Sequence, residues 1–276
     1  MSAVTSLSWS DFTKSAASRR QNHSAWACTA QHEDTSGWSG TDTYAEALTL
    51  ASHGWPEGTA RIQRALDTLT FKTAHQRGQG TGWAMDVAGA FPCVPAYLAG
   101  DCEYMHAPDM DSQQAPTRRV LVSGMHAAMF TVEQVENYGL AVLALVDSME
   151  QAGESIELVW HYTARNLERK PDGGHRAVTG WSSLQVTLKR AGEHFELDRL
   201  AFALAHPSMS RRLGFSVIEQ RPELRGFSDA MGNAINEYPH DGREPGTIYL
   251  PFSFSMIDHL NTPEQALAAM QKALEL

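Results

Sequence analysis

Residues 117–153, TRRVLVSGMHAAMFTVEQVENYGLAVLALVDSMEQAG, decide the fold class. RRVLVSG lacks the polar alternation of a half-exposed strand and reads as a strand buried on both faces. A short turn follows. From Thr131 to Gln151 apolar residues recur at helical spacing, with Gly153 placed as the C-terminal cap. A buried strand, a turn and a long helix form the building unit of an α/β protein.

Further along the chain, SIELVWHYTAR and SLQVTLKRA predict two more strands, separated by the turn-rich RNLERKPDGGHRAVTGWS. ELDRLAFALAHPSMSRRLGFSVIEQ reads as two helical pieces broken at His206-Pro207. GTIYLPFS reads as a last strand, and Thr262-Pro263-Glu264 opens a closing helix with a cap and an N1 proline. The expectation for residues 116–276 is an α/β domain with a mostly parallel sheet and helices on both faces, Rossmann-like or von Willebrand A-like.

Towards the N-terminus, residues 37–115 predict a helical hairpin with Trp38 and Trp55 at its corners. A segment dense in Gly and Pro follows, with a short helix over residues 94–99, and Trp83 is expected to anchor it as it wraps the α/β part. Residues 1–36, rich in Ser, Ala, Thr and Gln, predict a mobile arm with one short helix near residues 9–17.

Hydrophobic residues at 42% and charged residues at 20% describe a globular chain with enough apolar content for a real core. No run approaches the roughly 20 apolar residues of a membrane span, and no apolar signal core opens the chain, so a cytoplasmic location is expected. A net charge of −10 argues against coating nucleic acid with the whole surface and would confine such contact to a local basic patch. The three cysteines form no CxxC pair and the twelve histidines no HExxH, so neither a disulfide framework nor a zinc site is expected.

The turn after the first buried strand has one glycine, Gly124, which excludes both the dinucleotide fingerprint and the Walker loop. Its strand–turn–helix order resembles the metal-binding turn of von Willebrand factor A-type domains. Val122 or Ser123 stands where that turn needs Asp, so packing rather than a metal is expected there. His161 and His206 each begin an H-x-[ST] triplet, HYT and HPS, the pattern of two-histidine phosphoesterases, which requires both rings in one cleft. No G-x-S-x-G elbow occurs and no cysteine has a catalytic context. A non-enzymatic protein without a cofactor is expected.

Three basic pairs, Arg118 and Arg119, Lys189 and Arg190, Arg211 and Arg212, lie near the rings of Trp160, Tyr162 and Trp181. Cations that track a backbone and rings that stack on bases are the means of holding single-stranded nucleic acid. These nine residues are the candidate contacts.

WSGTDTYAEALTLASHGWPEG, MDVAGAFPCVPAYLAGDCEYM, YGLAVLALVDSMEQAG and LDRLAFALAHPSMSRRLGFSVIEQ together resemble a family of uncharacterised bacteriophage and prophage proteins. A weaker resemblance is to the single-stranded-DNA-binding cofactors of RNA polymerases in short-tailed phages. It implies a DNA-binding protein that assists transcription or replication, with single-stranded DNA and a phage RNA polymerase as partners. Two alternatives stay open: a two-histidine enzyme acting on a nucleotide, and a metal-free von Willebrand A-like protein-interaction module.

Overall fold

The computed structural model describes residues 3–18, 37–68, 83–108, 117–126, 129–168, 177–194, 196–221, 224, 246–252 and 254–274. In chain order the strands are β1 (Ala3–Ser8), β2 (Trp83–Asp86), β3 (Phe91–Pro92), β4 (Met105–Pro108), β5 (Thr117–Ser123), β6 (Ser155–Glu168), β7 (Ala177–Lys189) and β8 (Ile248–Leu250). The α-helices are α1 (Trp9–Ala17), α2 (Tyr44–His53), α3 (Pro56–Thr68), α4 (Val94–Ala99), α5 (Val132–Gln151), α6 (Leu197–Ala205), α7 (Phe215–Glu219) and α8 (Pro263–Leu274). A π-helical turn, Met209–Gly214, runs directly into α7.

Five strands form one sheet in the order β1-β7-β6-β5-β8. The pairs β1/β7, β5/β6 and β5/β8 are parallel, and β6/β7 is antiparallel. The fold is therefore α/β with a mixed, mostly parallel sheet. The crossover from β5 to β6 runs through α5, as a parallel pair requires. Strands β2, β4 and β3 make a separate antiparallel sheet.

Alternation along the strands assigns their two faces. Val120, Val122, Ile156, Leu158, Trp160, Tyr162, Leu184 and Val186 belong to one large core, which also takes in the buried residues of α1, α2, α5, α6 and α8. Leu121, Val159 and Tyr249 form a small cluster of their own, as side chains on the opposite face must. Around them that face is polar: Ser123, His161, Thr163, Ser183 and Gln185 are all buried there. Helices were expected on both faces. Among the described residues, the large helices bury their apolar sides against one.

Helix α5 explains why one face suffices. Thirteen of its twenty residues are buried, because it packs against the sheet, α6 and α8 at once. A Cβ on Gly139 would lie 2.4 Å from the Ala205 Cα, so only glycine lets α5 and α6 approach this closely. The start of α5 is a capping box: Thr131 Oγ1 accepts from Gln134 N at 3.2 Å, and Gln134 Oε1 accepts from Thr131 N at 3.1 Å.

The N-terminal residues differ from expectation. Within the span read as a mobile arm, residues 3–8 form an edge strand paired with β7 from Ala3↔Ser182 to Ser8↔Thr187, and α1 follows with Phe12 and Ala16 fully buried. The helical hairpin α2–α3 contributes Tyr44, Ala47, Ala51, Trp55 and Ile62 to the main core. Among the described residues no helix is long and apolar enough to cross a membrane.

Candidate functional site

In an open α/β sheet the usual place for a ligand is the crevice outside the carboxyl ends of the parallel strands. Beyond β5 and β8 the described residues pack on one another. Phe252 packs edge-on against His126, Phe130 and Tyr138, with ring centroids 4.5, 4.5 and 4.8 Å away. His126 Nδ1 lies 3.0 Å from Ser210 Oγ, and Arg211 donates from Nη2 to the Phe130 carbonyl at 2.8 Å. Burial, helped by the neighbouring Arg211 charge, holds the His126 pKa well below its ordinary value. The ring is neutral, engaged and only 4% exposed. The N-terminus of α5, which could otherwise face an anion, is satisfied by its own capping box.

The nine candidate nucleic-acid contacts do not converge. Arg118 and Arg119 leave β5 on opposite faces; Arg118 Nε meets Glu154 at 2.8 Å and Arg119 Nε meets Glu157 at 3.4 Å. Arg119 also donates from Nη2 to Gln185 Oε1 at 3.1 Å. A β-bulge opposite Leu158/Val159 turns Lys189 inward, where its Nζ reaches Glu150 at 2.5 Å and the Ile156 carbonyl at 3.2 Å. Arg190 is exposed and lies 3.8 Å from Glu193. Trp160 and Tyr162 are core residues, and Trp160 is pressed so closely on Gly124 that a Cβ there would lie 2.0 Å from the indole. Trp181 is half-buried against the same core.

Arg211 and Arg212 are fully buried on the π-helical turn. Arg211 donates from Nη1 to the Trp38 carbonyl at 2.6 Å, and its guanidinium stands 4.6 Å from the Trp38 ring centroid. Arg212 donates from Nη2 to the carbonyls of Thr41 and Asp42 at 2.6 and 3.0 Å. Both arginines clamp the turn before α2 onto the core, so their charge serves internal carbonyls rather than an external phosphate.

The two H-x-[ST] histidines are also separated. His161 lies on the polar sheet face, its Nδ1 3.1 Å from Thr163 Oγ1 and its ring 5.3 Å from Tyr249. His206 sits on the helical side against Trp55 and Phe202, with Ser208 Oγ 2.5 Å from its Nδ1. The sheet lies between them. Burial lowers the pKa of His161 to about 3 and that of His206 to about 4, the second also pressed down by Arg61. Each triplet is a local, buried hydrogen bond. Among the described residues, no three or more His, Cys, Asp or Glu group as metal ligands would.

Two concavities are lined by described residues. One of about 540 Å³ opens where β1 and β7 end, lined by Trp9, His53, His194, Glu196, Asp198 and Arg199 among others. Its charged groups are already engaged: Asp198 accepts from Thr59 Oγ1 at 2.5 Å, and Arg199 reaches Glu196 at 3.1 Å and the Leu188 carbonyl at 2.9 Å.

The other belongs to the small β2-β4-β3 sheet and α4. Not one residue from 85 to 107 is buried. Val87, Phe91, Val94, Tyr97 and Leu98 are each at least 45% exposed, and among the described residues Phe91 packs on His106 and Tyr97 on Tyr104. A concavity of about 740 Å³ is lined by Met85, Cys93, Pro95, Ala96, Ala99, Asp101, Cys102 and Glu103. This is part of the segment expected to wrap the α/β part; its side chains from 85 to 107 are exposed or half-exposed, and the Trp83 anchor lies outside the described side chains. Sequence reasoning missed it as a site. The available signal was a run of Val, Phe, Tyr and Leu between glycines and prolines, with carboxylates and no Lys or Arg from 83 to 108.

A search of curated proteins and a search of solved structures each gave no match. A match to the family Domain of unknown function (DUF7192) runs over residues 3–276, from the first residue of β1 to the end of the chain, and the chain belongs to that family.

Proposed function

We propose that this protein is a non-enzymatic interaction module that binds another protein through the unit formed by residues 83–108. The observation that carries this is the display of large apolar side chains on a unit with no buried residue between positions 85 and 107. Contiguous exposed apolar surface on a folded protein marks a place where something docks. A unit of this size is also too small to bury a core of its own. The packing of described residues at the carboxyl ends of β5 and β8 and the separated histidines favour binding over catalysis. The role agrees with the metal-free von Willebrand A-like alternative and does not depend on that finer fold assignment.

Single-stranded-DNA binding, implied by the resemblance to phage polymerase cofactors, is the competing outcome. The experiment is affinity capture from nuclease-treated lysate, followed by calorimetry of the purified protein with the captured partner. Saturable binding that survives nuclease supports the proposal. A complex that disappears with nuclease, together with tight binding of a thymidine oligonucleotide at low salt, replaces it with the nucleic-acid role.

A further inference from the structure

We infer that the concavity on the 83–108 unit receives a basic, apolar segment of a partner protein: large apolar side chains in the hollow, with Lys or Arg beside them. This rests on the interaction role proposed above and names the chemistry of its partner. Met85, Pro95, Ala96 and Ala99 supply an apolar floor, while Asp101 and Glu103 line the same hollow. Both carboxylate residues are exposed, as is Asp86. With no Lys or Arg between 83 and 108, the unit presents only negative formal charge to whatever covers it. An apolar centre beside charges of one sign selects a partner with the opposite rim.

The same charges decide against other occupants. In a two-fold contact between copies the identical patch faces itself, so the carboxylates of both copies would be gathered into one interface with no Lys or Arg of the unit to offset them. A chain of net charge −10 adds to that repulsion. A nucleic-acid backbone meets the same sign, and the exposed rings of Phe91 and Tyr97 have no cation within the unit to offset it.

The test uses the full chain and three fluorescent 14-residue peptides: leucine and lysine at helical spacing, the same with glutamate for lysine, and the same with serine for leucine. The Leu/Lys peptide is expected to bind saturably and more weakly as salt rises, the other two at least tenfold less well. Met85→Ser with Leu98→Ser should weaken binding about tenfold. Asp101→Lys with Glu103→Lys should transfer the preference to the Leu/Glu peptide. All four positions are outside the core, so an unchanged circular-dichroism spectrum is expected for both double variants.

Equal binding of the acidic and basic peptides, or binding untouched by either double variant, overturns the inference. So does micromolar dimerisation in sedimentation that M85S/L98S abolishes, which would make a second copy the occupant. Oligonucleotide binding lost in the same variant would make it nucleic acid. A nuclease-resistant partner captured equally by wild type and M85S/L98S sinks this surface while leaving the interaction role standing. Capture of no protein by either chain sinks both.

Discussion

Arg212 donates from Nη2 to the Thr41 carbonyl at 2.6 Å, joining positions 171 residues apart with a fully buried guanidinium. The same nitrogen serves the Asp42 carbonyl, and Arg211 beside it serves Trp38 and Phe130. The turn that starts α2 is therefore held by side chains from the far half of the chain.

Arg212→Ala should destabilise the fold by about 3 kcal/mol or more, because it strands buried carbonyls and opens a cavity. Arg212→Lys should lose less but still clearly, since the shorter lysine stem cannot bring its nitrogen to where Nη2 meets both carbonyls. Urea titration followed by tryptophan fluorescence measures both. An R212A midpoint equal to wild type would show that this clamp holds nothing.

Gly139→Ala places a methyl group 2.4 Å from the Ala205 Cα and 2.5 Å from the Leu204 carbonyl oxygen. The helix propensity gained, about 1 kcal/mol, is outweighed by prising α5 from α6, so a net loss of about 1–2 kcal/mol is expected. A midpoint shift to lower urea is the readout, and a gain in stability would mean that the two helices have room to spare.

The buried histidines make stability fall on the acid side. His161 and His206 titrate near 3 and 4 when folded, against 6.5 when exposed, so below pH 6.5 the unfolded chain binds protons that the folded chain does not. Their contribution is complete above pH 6.5 and declines towards pH 4, by up to about 1.4 kcal/mol per pH unit for each. Glu219 acts oppositely. Burial raises its pKa from 4.5 to about 7, so its contribution is complete below pH 4.5 and is lost as pH rises through 7. Between pH 7 and pH 5 the urea midpoint should drop, less in H161Q and more in E219Q than in wild type. Identical drops in all three would contradict both assignments.

Deleting residues 1–8 should lower stability and raise aggregation, because β1 covers one edge of β7 along six register pairs. Thermal denaturation with light scattering distinguishes this from the harmless loss expected of a loose arm.

How much of this was legible in the sequence depended on whether the signal was local. β5, α5 and its stop at Gly153 could be read because periodicity and helix-ending glycine are written in adjacent residues. β1 could not: AVTSLS has one alternation and no flanking turn, and only its pairing with β7 makes it a strand. Lys189 looks like a strand-end cation until a bulge, set by pairing with β6, turns it onto Glu150. Arg211 and Arg212 defeat the ordinary expectation that charged residues stay wet, since the carbonyls that satisfy them lie far away in sequence. The outward-facing 83–108 unit was hidden for the opposite reason: apolar residues are expected inside, and its composition gives no hint of which side they face.

The pairing Ala3↔Ser182 also sets an order of events during synthesis. Strand β1 leaves the ribosome long before β7 and has no neighbour in the sheet until β7 has followed. At about 5–20 residues per second that wait is roughly 10–40 s. A strongly apolar strand in this place would spend the interval as an unpaired sticky edge. Ala-Val-Thr-Ser-Leu-Ser, short and rich in hydroxyls, can remain hydrated until β7 emerges to receive it.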